Sequence, residues 1–327
     1  MKILLLGKNG QLGWELQRSL QPLGQVLALD RQGVEASQVP WSCDIGNSRV
    51  CGDLAQLEQL SASIERVRPD VVVNAAAYTA VDRAESDSDL AHLINARAPA
   101  AMARSCNKIN ALLVHYSSDY VFDGKSSLAY QEDDRTHPKS VYGLTKLSGE
   151  RAIIALCNRH LILRTGWVFG AHGNNFLKTI LKLAQEKQAL QVVCDEYGTP
   201  TSASFLAEAT AKMAGQVYRA MEAAKTGVSL VKQPAFGTYH LACAGKTSWH
   251  AYACCLLKTS RSLGMPGVLD VENVERIASE RYKAAAPRPA FSVLSTQKAR
   301  HAFQIEPPMW EIEVAKVLLQ LKANANK

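Results

Sequence analysis

The chain opens Met1-Lys2-Ile3-Leu4-Leu5-Leu6-Gly7-Lys8-Asn9-Gly10-Gln11-Leu12-Gly13-Trp14-Glu15-Leu16-Gln17-Arg18-Ser19-Leu20, and the reading of this stretch decides the fold. Ile3 to Leu6 are continuously apolar, too short a run for a helix and typical of a strand buried on both faces. Beyond the glycines, Leu12, Leu16 and Leu20 recur every fourth residue, with Glu15, Gln17 and Arg18 between them. That pattern gives a helix with one buried stripe. Gly7, Gly10 and Gly13 therefore fall on a strand-to-helix turn. A helix N-terminus there presents unpaired N–H groups and the positive end of a dipole, a setting that suits a diphosphate. Glycine lets the backbone approach the anion and lets helix and strand pack closely. Val26 to Leu29 read as a second strand, which ends in Asp30. A carboxylate roughly twenty residues past the glycines is where a ribose diol is held. A plain tight turn would explain the glycines alone. The ordered succession of strand, glycines, helix, strand and carboxylate favours a dinucleotide site.

The same alternation continues. A helix is expected around Leu54–Val67, a third strand at Asp70–Asn74, a helix over Ser88–Asn107 and a fourth strand at Ala111–Ser117. A helix over Ser140–Cys157 and a fifth strand at Leu161–Arg164 come next. Such βαβ succession predicts an α/β fold, a Rossmann-like doubly wound parallel sheet with helices on both faces. Ligands in such sheets bind beyond the carboxyl ends of the strands. The second half is less regular and reads as a smaller C-terminal substrate-binding domain. The expected division is 1–170 for the NAD(P)-binding domain and 171–327 for the rest, with segments near 203–243 returning to the sheet. The terminal ANANK is expected to fray.

At 327 residues, 47% of them hydrophobic and 20% charged, the composition is that of a globular protein. No run of eighteen apolar residues marks a membrane span. Met1-Lys2 leads straight into the first strand without the segments of a signal peptide. The eight cysteines are scattered with no C-x-x-C, as in a reduced, cytoplasmic protein. The eight histidines form no ligand-spaced cluster. The net charge of +7 is dispersed rather than gathered in runs, which argues against nucleic acid as a partner. A mild positive field would attract anionic nucleotides.

The residues just past each strand carry the chemistry. Strand three runs into Asn74-Ala75-Ala76-Ala77-Tyr78-Thr79, whose small residues leave room for a ligand. Strand four ends in Ser117-Ser118-Asp119, at the ligand edge. Tyr142 and Lys146 stand four apart on an expected helix, so phenol and ammonium share one face. A free tyrosine titrates near ~10. A neighbouring cation is expected to lower that value and make Tyr142 a usable general acid for a carbonyl oxygen.

Gly7, Gly10 and Gly13, the serine at the strand end and the Tyr142/Lys146 pair together resemble the extended short-chain dehydrogenase/reductase superfamily. Within it, GKNGQLGWELQRSL, RPDVVVNAAAYTAVDRAE, YSSDYVFDG, VYGLTKLSGE, LRTGWVFG, YGTPT, GTYHLACAGKTSWHAYA, RPAFSVLST and PPMWE resemble, in order along nearly the whole chain, the dTDP-4-dehydrorhamnose reductase family. The resemblance implies NADPH- or NADH-dependent reduction of dTDP-4-dehydro-L-rhamnose at C4. It implies that Gly7, Gly10, Gln11, Leu12 and Gly13 cradle the cofactor pyrophosphate and that Asp30 meets the adenosine ribose. Asp30 favours NADH and the adjacent Arg31 favours NADPH. Asp53 and Leu54 would lie beside the adenine, with Asp44-Ile45 as the rival alignment. Ala77, Tyr78, Thr79 and Tyr116 would line the cofactor. Ser118 would bond the reacting carbonyl, in place of the threonine many relatives carry. Tyr142 would give the proton, and Lys146 would hold the nicotinamide ribose. Thr79, Asp119 and Trp167 would contact substrate, and Arg288 its diphosphate. Some members are homodimers with interfacial magnesium held by glutamates. Glu15 and Glu311 match two of those positions, but Ser204 stands at the third, so no metal is assigned.

Two other readings use the same residues. A nucleotide-sugar epimerase or dehydratase shares the Ser/Tyr/Lys set, although a dehydratase usually carries an added acidic pair that Ser118-Asp119-Tyr120 lacks. A non-catalytic NADP-binding regulatory subunit would not need Ser118, Tyr142 and Lys146 intact.

Overall fold

A computed structural model describes residues 1–43, 48–225, 235–266 and 268–325. Strands β1 (Lys2–Leu6), β2 (Gln25–Leu29), β3 (Val71–Asn74), β4 (Leu112–Ser118) and β5 (His160–Thr165) lie in one sheet with the strand Gly237–His240. The order is Gly237–His240, β5, β4, β3, β1, β2, and every pairing is parallel. β3, β4 and β5 are buried at every position, which is why they read as unbroken apolar runs rather than alternating ones.

Alternate residues of each strand feed opposite layers. Ile3, Leu5, Val71, Val73, Leu112 and Val114 pack with Leu16 and Leu20 of α1 (Gln11–Leu20) and with Leu206, Met213 and Val217 of the long helix Ala203–Lys225. Leu4, Leu6, Val72 and Leu113 pack on the other side with Leu60, Ile64 and Val67 of α2 (Leu57–Val67) and with Met102 and Cys106 of the helix Ala98–Ile109. Each such side chain contributes about 1.5–3 kcal/mol by leaving water.

The helix expected over Ser88–Asn107 is interrupted. Ser88–His92 passes through a π-helical turn, Leu93–Arg97, before Ala98–Ile109. Apolar periodicity does not reveal this widened turn, which holds Asn95 and its bonds to Tyr78 and Thr145. The short helices Val81–Ala84 and Gln297–Phe303 also carry too few residues to show a period. At the C-terminus the helix Trp310–Ala325 runs further than the expected fraying allows.

The remaining strands form three two-stranded pairings outside the main sheet. Val168–Phe169 pairs with Thr201–Ser202, Leu190–Val193 with Val274–Ile277, and Tyr197–Gly198 with Thr247–Ser248. The helices Phe176–Glu186 and Trp249–Ser262 join the same core as α1. Among the described residues no helix is long and apolar enough to cross a membrane. The chain turns from β1 to β2 on one side and places β3 on the other. That reversal leaves a crevice outside the carboxyl ends of β1 and β3, the usual ligand position of such sheets.

Candidate active site

The crevice is a cavity of about 860 Å³. Its floor is the glycine turn. Gly7 has φ +87°, and a Cβ there would lie 2.7 Å from the Ala76 nitrogen. A Cβ on Gly13 would lie 2.0 Å from the Gly7 carbonyl oxygen, so helix and turn touch only because both residues are glycine. Gly10 caps α1 without a side chain. Gly13→Ala is expected to cost about 1–3 kcal/mol through overpacking. It should also weaken cofactor binding, and unfolding curves and a fluorescence titration with NADPH would read the two effects.

At the end of β2, Asp30 meets Lys8 Nζ at 3.3 Å and Asn9 Nδ2 at 3.2 Å. Burial opposes its charge, but the Lys8 hydrogen bond, the Gln32 N–H and the Lys8 charge outweigh it and lower its pKa. Arg31 lines the same rim. Lys8, inside the glycine turn, went unassigned in the sequence; its signal was a cation facing the carboxylate position across the first loop. Asp53 and Leu54 line the cavity beside Asp30. Gly52 permits this, since a Cβ there would lie 2.1 Å from the Asp30 carbonyl oxygen. The rival Asp44-Ile45 lies outside the described residues.

Ala77, Thr79 and Tyr116 line the cavity with Gly7, Gly10, Gln11 and Leu12. Tyr78 turns its hydroxyl away to Asp87 at 3.0 Å. The Tyr78 backbone is clamped by Asn95, which accepts its N–H at 2.9 Å and donates to its carbonyl at 3.0 Å. Asn95 Nδ2 also reaches Thr145 Oγ1 at 3.2 Å, so the π-helical turn ties the cofactor wall to the helix Val141–Leu156. Tertiary bonding alone distinguishes Asn95.

That helix starts at Ser140, whose Oγ accepts the Gly143 N–H at 3.1 Å. Gly143 lets it approach the sheet, because a Cβ there would lie 2.3 Å from the Tyr120 carbonyl oxygen. Tyr142 and Lys146 thus face the end of β4. The Tyr142 ring packs edge-on against Tyr120 at 5.5 Å. Burial, joined by the charge of Asp119, pushes the Tyr142 hydroxyl up to about 12 against a hydrogen bond with Ser118 that lowers it. The expected lowering by Lys146 is not seen in the free protein, where desolvation of the phenolate dominates. Lys146 Nζ instead donates to the Tyr116 carbonyl at 2.5 Å. Burial pulls the lysine down to about 8, opposed by the charge of Glu150.

Ser118 Oγ donates to Asp119 Oδ1 at 2.9 Å and accepts the Tyr120 N–H at 3.2 Å. Asp119 is buried, and burial raises it to about 6 despite hydrogen bonds from Ser292 and Ser118. Gly166 makes room for its carboxylate, which a Cβ would meet at 2.3 Å. Trp167 follows with φ +49°, a strained value for a bulky residue, and stacks on Trp249 at 3.4 Å between ring centres. Arg288 is held by Asp82 at 2.8 Å, and Asp82 also accepts the Ala286 N–H.

The hydroxyls of Ser117 and Thr165 are buried, face the cavity and find no hydrogen-bond partner within the protein. Buried polar atoms are normally paired. Two unpaired hydroxyls in the wall of the same cavity as the glycine turn fit a polar ligand such as a nicotinamide nucleotide. A metal fits less well. Among the described residues no three His, Cys, Asp or Glu side chains gather. Glu15 is bound to Arg18, Glu311 is exposed, and Ser204 lies against Glu313 at 3.4 Å.

A family model described as the RmlD substrate binding domain matches residues 1–323. The dTDP-4-dehydrorhamnose reductase of Salmonella typhimurium is 41% identical over 321 residues, covering 98% of each chain. That of Burkholderia thailandensis is 42% identical over 314 residues, covering 96% of this chain and 97% of its own. Among solved structures, a dTDP-4-dehydrorhamnose reductase from Clostridium acetobutylicum matches with a TM-score of 0.80 at 31% identity, over 98% of this chain and 100% of that one. The Bacillus anthracis enzyme, solved in complex with NADP, matches with a TM-score of 0.78 at 30% identity over the same shares.

Proposed function

Because the chain belongs to the RmlD substrate binding domain family, we infer that it is an NAD(P)H-dependent oxidoreductase that reduces the C4 keto group of dTDP-4-dehydro-L-rhamnose to give dTDP-L-rhamnose. The observation that carries this reading is the convergence of Ser118, Tyr142 and Lys146 at the end of β4, with Tyr142 and Lys146 lining the same cavity as the glycine turn.

The reduced nicotinamide supplies the hydride that attacks C4. The protein supplies the proton and the geometry. Tyr142 stays protonated across the working pH range and gives its proton to the new alkoxide. Ser118 is positioned by Asp119 and the Tyr120 N–H, and its single proton, given to Asp119 in the free protein, would turn to the carbonyl oxygen when the keto-sugar binds. Gly10, Gln11 and Leu12 receive the pyrophosphate at the start of α1. Ser117 and Thr165 offer hydroxyls to the cofactor. Lys8 and Arg31 flank Asp30 with positive charge, which supports NADPH over NADH. The Trp167–Trp249 stack and Arg288 would face the sugar nucleotide, with Arg288 exchanging Asp82 for a diphosphate.

The deciding assay mixes purified protein with NADPH or NADH and dTDP-4-dehydro-L-rhamnose made in situ. Oxidation of the cofactor with dTDP-L-rhamnose as product is expected. No oxidation of either cofactor by folded, cofactor-binding protein would refute the reading. The pH dependence has a definite sign. Lys146, held at about 8, is charged below that value and supports proton delivery there. kcat/KM for reduction should therefore fall as pH rises through about 8, and a profile flat across that region would contradict this role.

A further inference from the structure

His115 lies in β4, is 1% exposed, and takes no part in the hydride or proton transfer. Its ring nitrogens face different partners. Nδ1 is 3.0 Å from Asn74 Nδ2, and Nε2 is 3.5 Å from Lys146 Nζ. Strand register sets this arrangement, since Asn74 stands directly across from His115 in the β3–β4 ladder. The hydrogen bonds also determine the tautomer. Asn74 Oδ1 accepts the Ala76 N–H at 3.1 Å, which leaves Nδ2 to donate to the histidine. Nδ1 is then an acceptor, and a neutral imidazole accepting at Nδ1 carries its proton on Nε2. Burial, and then the charge of Lys146, hold the His115 pKa well below its ordinary value, so the ring is neutral. The Nε2–H therefore points at the lysine nitrogen. It can donate to the lone pair of a neutral amine, whereas against an ammonium two donors oppose each other.

We propose that Asn74 and His115 are positioning residues that set the protonation state of Lys146, by presenting a fixed N–H to its nitrogen while the Tyr116 carbonyl holds it from the other side. The proposal rests on the reductase reading. The other charged and titratable groups near the lysine leave room for such control. Glu150, one turn further along the helix, is engaged by Arg164 through bonds of 2.9 and 2.7 Å. Asp119 is bound by Ser118, and Tyr142 is held neutral. The Tyr116 phenol is pushed up by burial and bonded to Thr210 at 2.6 Å. Among the described residues no carboxylate bonds Lys146 Nζ, and the side chain that meets it at 3.5 Å is the one whose proton Asn74 directs.

The test compares wild type, Asn74→Asp, His115→Leu and the double variant by two profiles. One is kcat/KM against pH with the keto-sugar, and the other is the Kd for NADPH against pH, read by protein fluorescence. In Asn74→Asp the new carboxylate accepts both the Ala76 N–H and an Nδ1–H, which moves the ring proton away and turns the Nε2 lone pair to the lysine. The alkaline limb of both profiles should rise by about one pH unit. His115→Leu should raise it by less. The Asn74→Asp effect should shrink when the histidine is also absent. A uniform loss of rate with an unmoved limb would assign the pair a structural role only and overturn the proposal. A full Asn74→Asp shift in the double variant would assign the effect to added charge and overturn it too. If Asn74→Asp does not fold, His115→Leu decides alone: a raised limb supports the proposal and an unmoved one overturns it. If no variant or wild type reduces the keto-sugar, the reductase reading fails, while the NADPH profile still decides the histidine.

Discussion

Tyr142→Phe is expected to lower kcat for the keto-sugar roughly 10²–10⁴-fold, the span of a lost general acid, and to leave the Kd for NADPH nearly unchanged. The ring should keep its place. It packs edge-on against Tyr120, and the helix that carries it is capped by Ser140 and pressed against the Tyr120 backbone at Gly143. Only the hydroxyl is removed, and Ser118 retains its bond to Asp119. Steady-state kinetics and a fluorescence titration on the same preparation separate the two effects. Turnover equal to wild type would sink the proton-donor role, and lost NADPH binding would instead point to a disturbed cleft.

The second large effect concerns stability. Arg164 and Glu150 form a bidentate ion pair whose side chains are 6% and 1% exposed. Arg164 also donates to the Glu132 carbonyl and lies over the Phe122 ring. The pair ties the catalytic helix to β5. Arg164→Leu strands a buried carboxylate and should cost about 3–5 kcal/mol. Most of that cost is the unpaired charge, so adding Glu150→Leu should recover a large part of it. Urea unfolding midpoints of the three proteins would read this. An Arg164→Leu midpoint equal to wild type would contradict it.

Neither partner of that pair was legible as such. In the sequence, Glu150 lies within the helix expected over Ser140–Cys157 and Arg164 ends the strand expected over Leu161–Arg164. Their meeting depends on how the helix Val141–Leu156 lies across β5, which no local pattern encodes. Asn95 is similar: it is one of several polar residues in its helical segment, and its three bonds to Tyr78 and Thr145 exist only after folding. The Tyr142–Lys146 spacing was legible because i, i+4 geometry is local. Its electrostatics were not. The expected lowering of the phenol neglected burial, and Lys146 bonds the Tyr116 carbonyl rather than sitting on the hydroxyl.

The sequence by itself determined the parallel sheet, the glycine turn, the carboxylate at the end of β2 and the Ser/Tyr/Lys set. Each follows from a period or spacing of a few residues, and backbone geometry translates such spacings directly into strands, helix faces and turns. Only the tertiary structure decided which way those groups are biased. It set Lys8 against Asp30, joined Asn74 to His115 and His115 to Lys146, stacked Trp167 on Trp249 and held Arg288 on Asp82. Most of these contacts join residues far apart in the chain. Their strengths depend on burial and on hydrogen-bond partners, which exist only once the layers have packed.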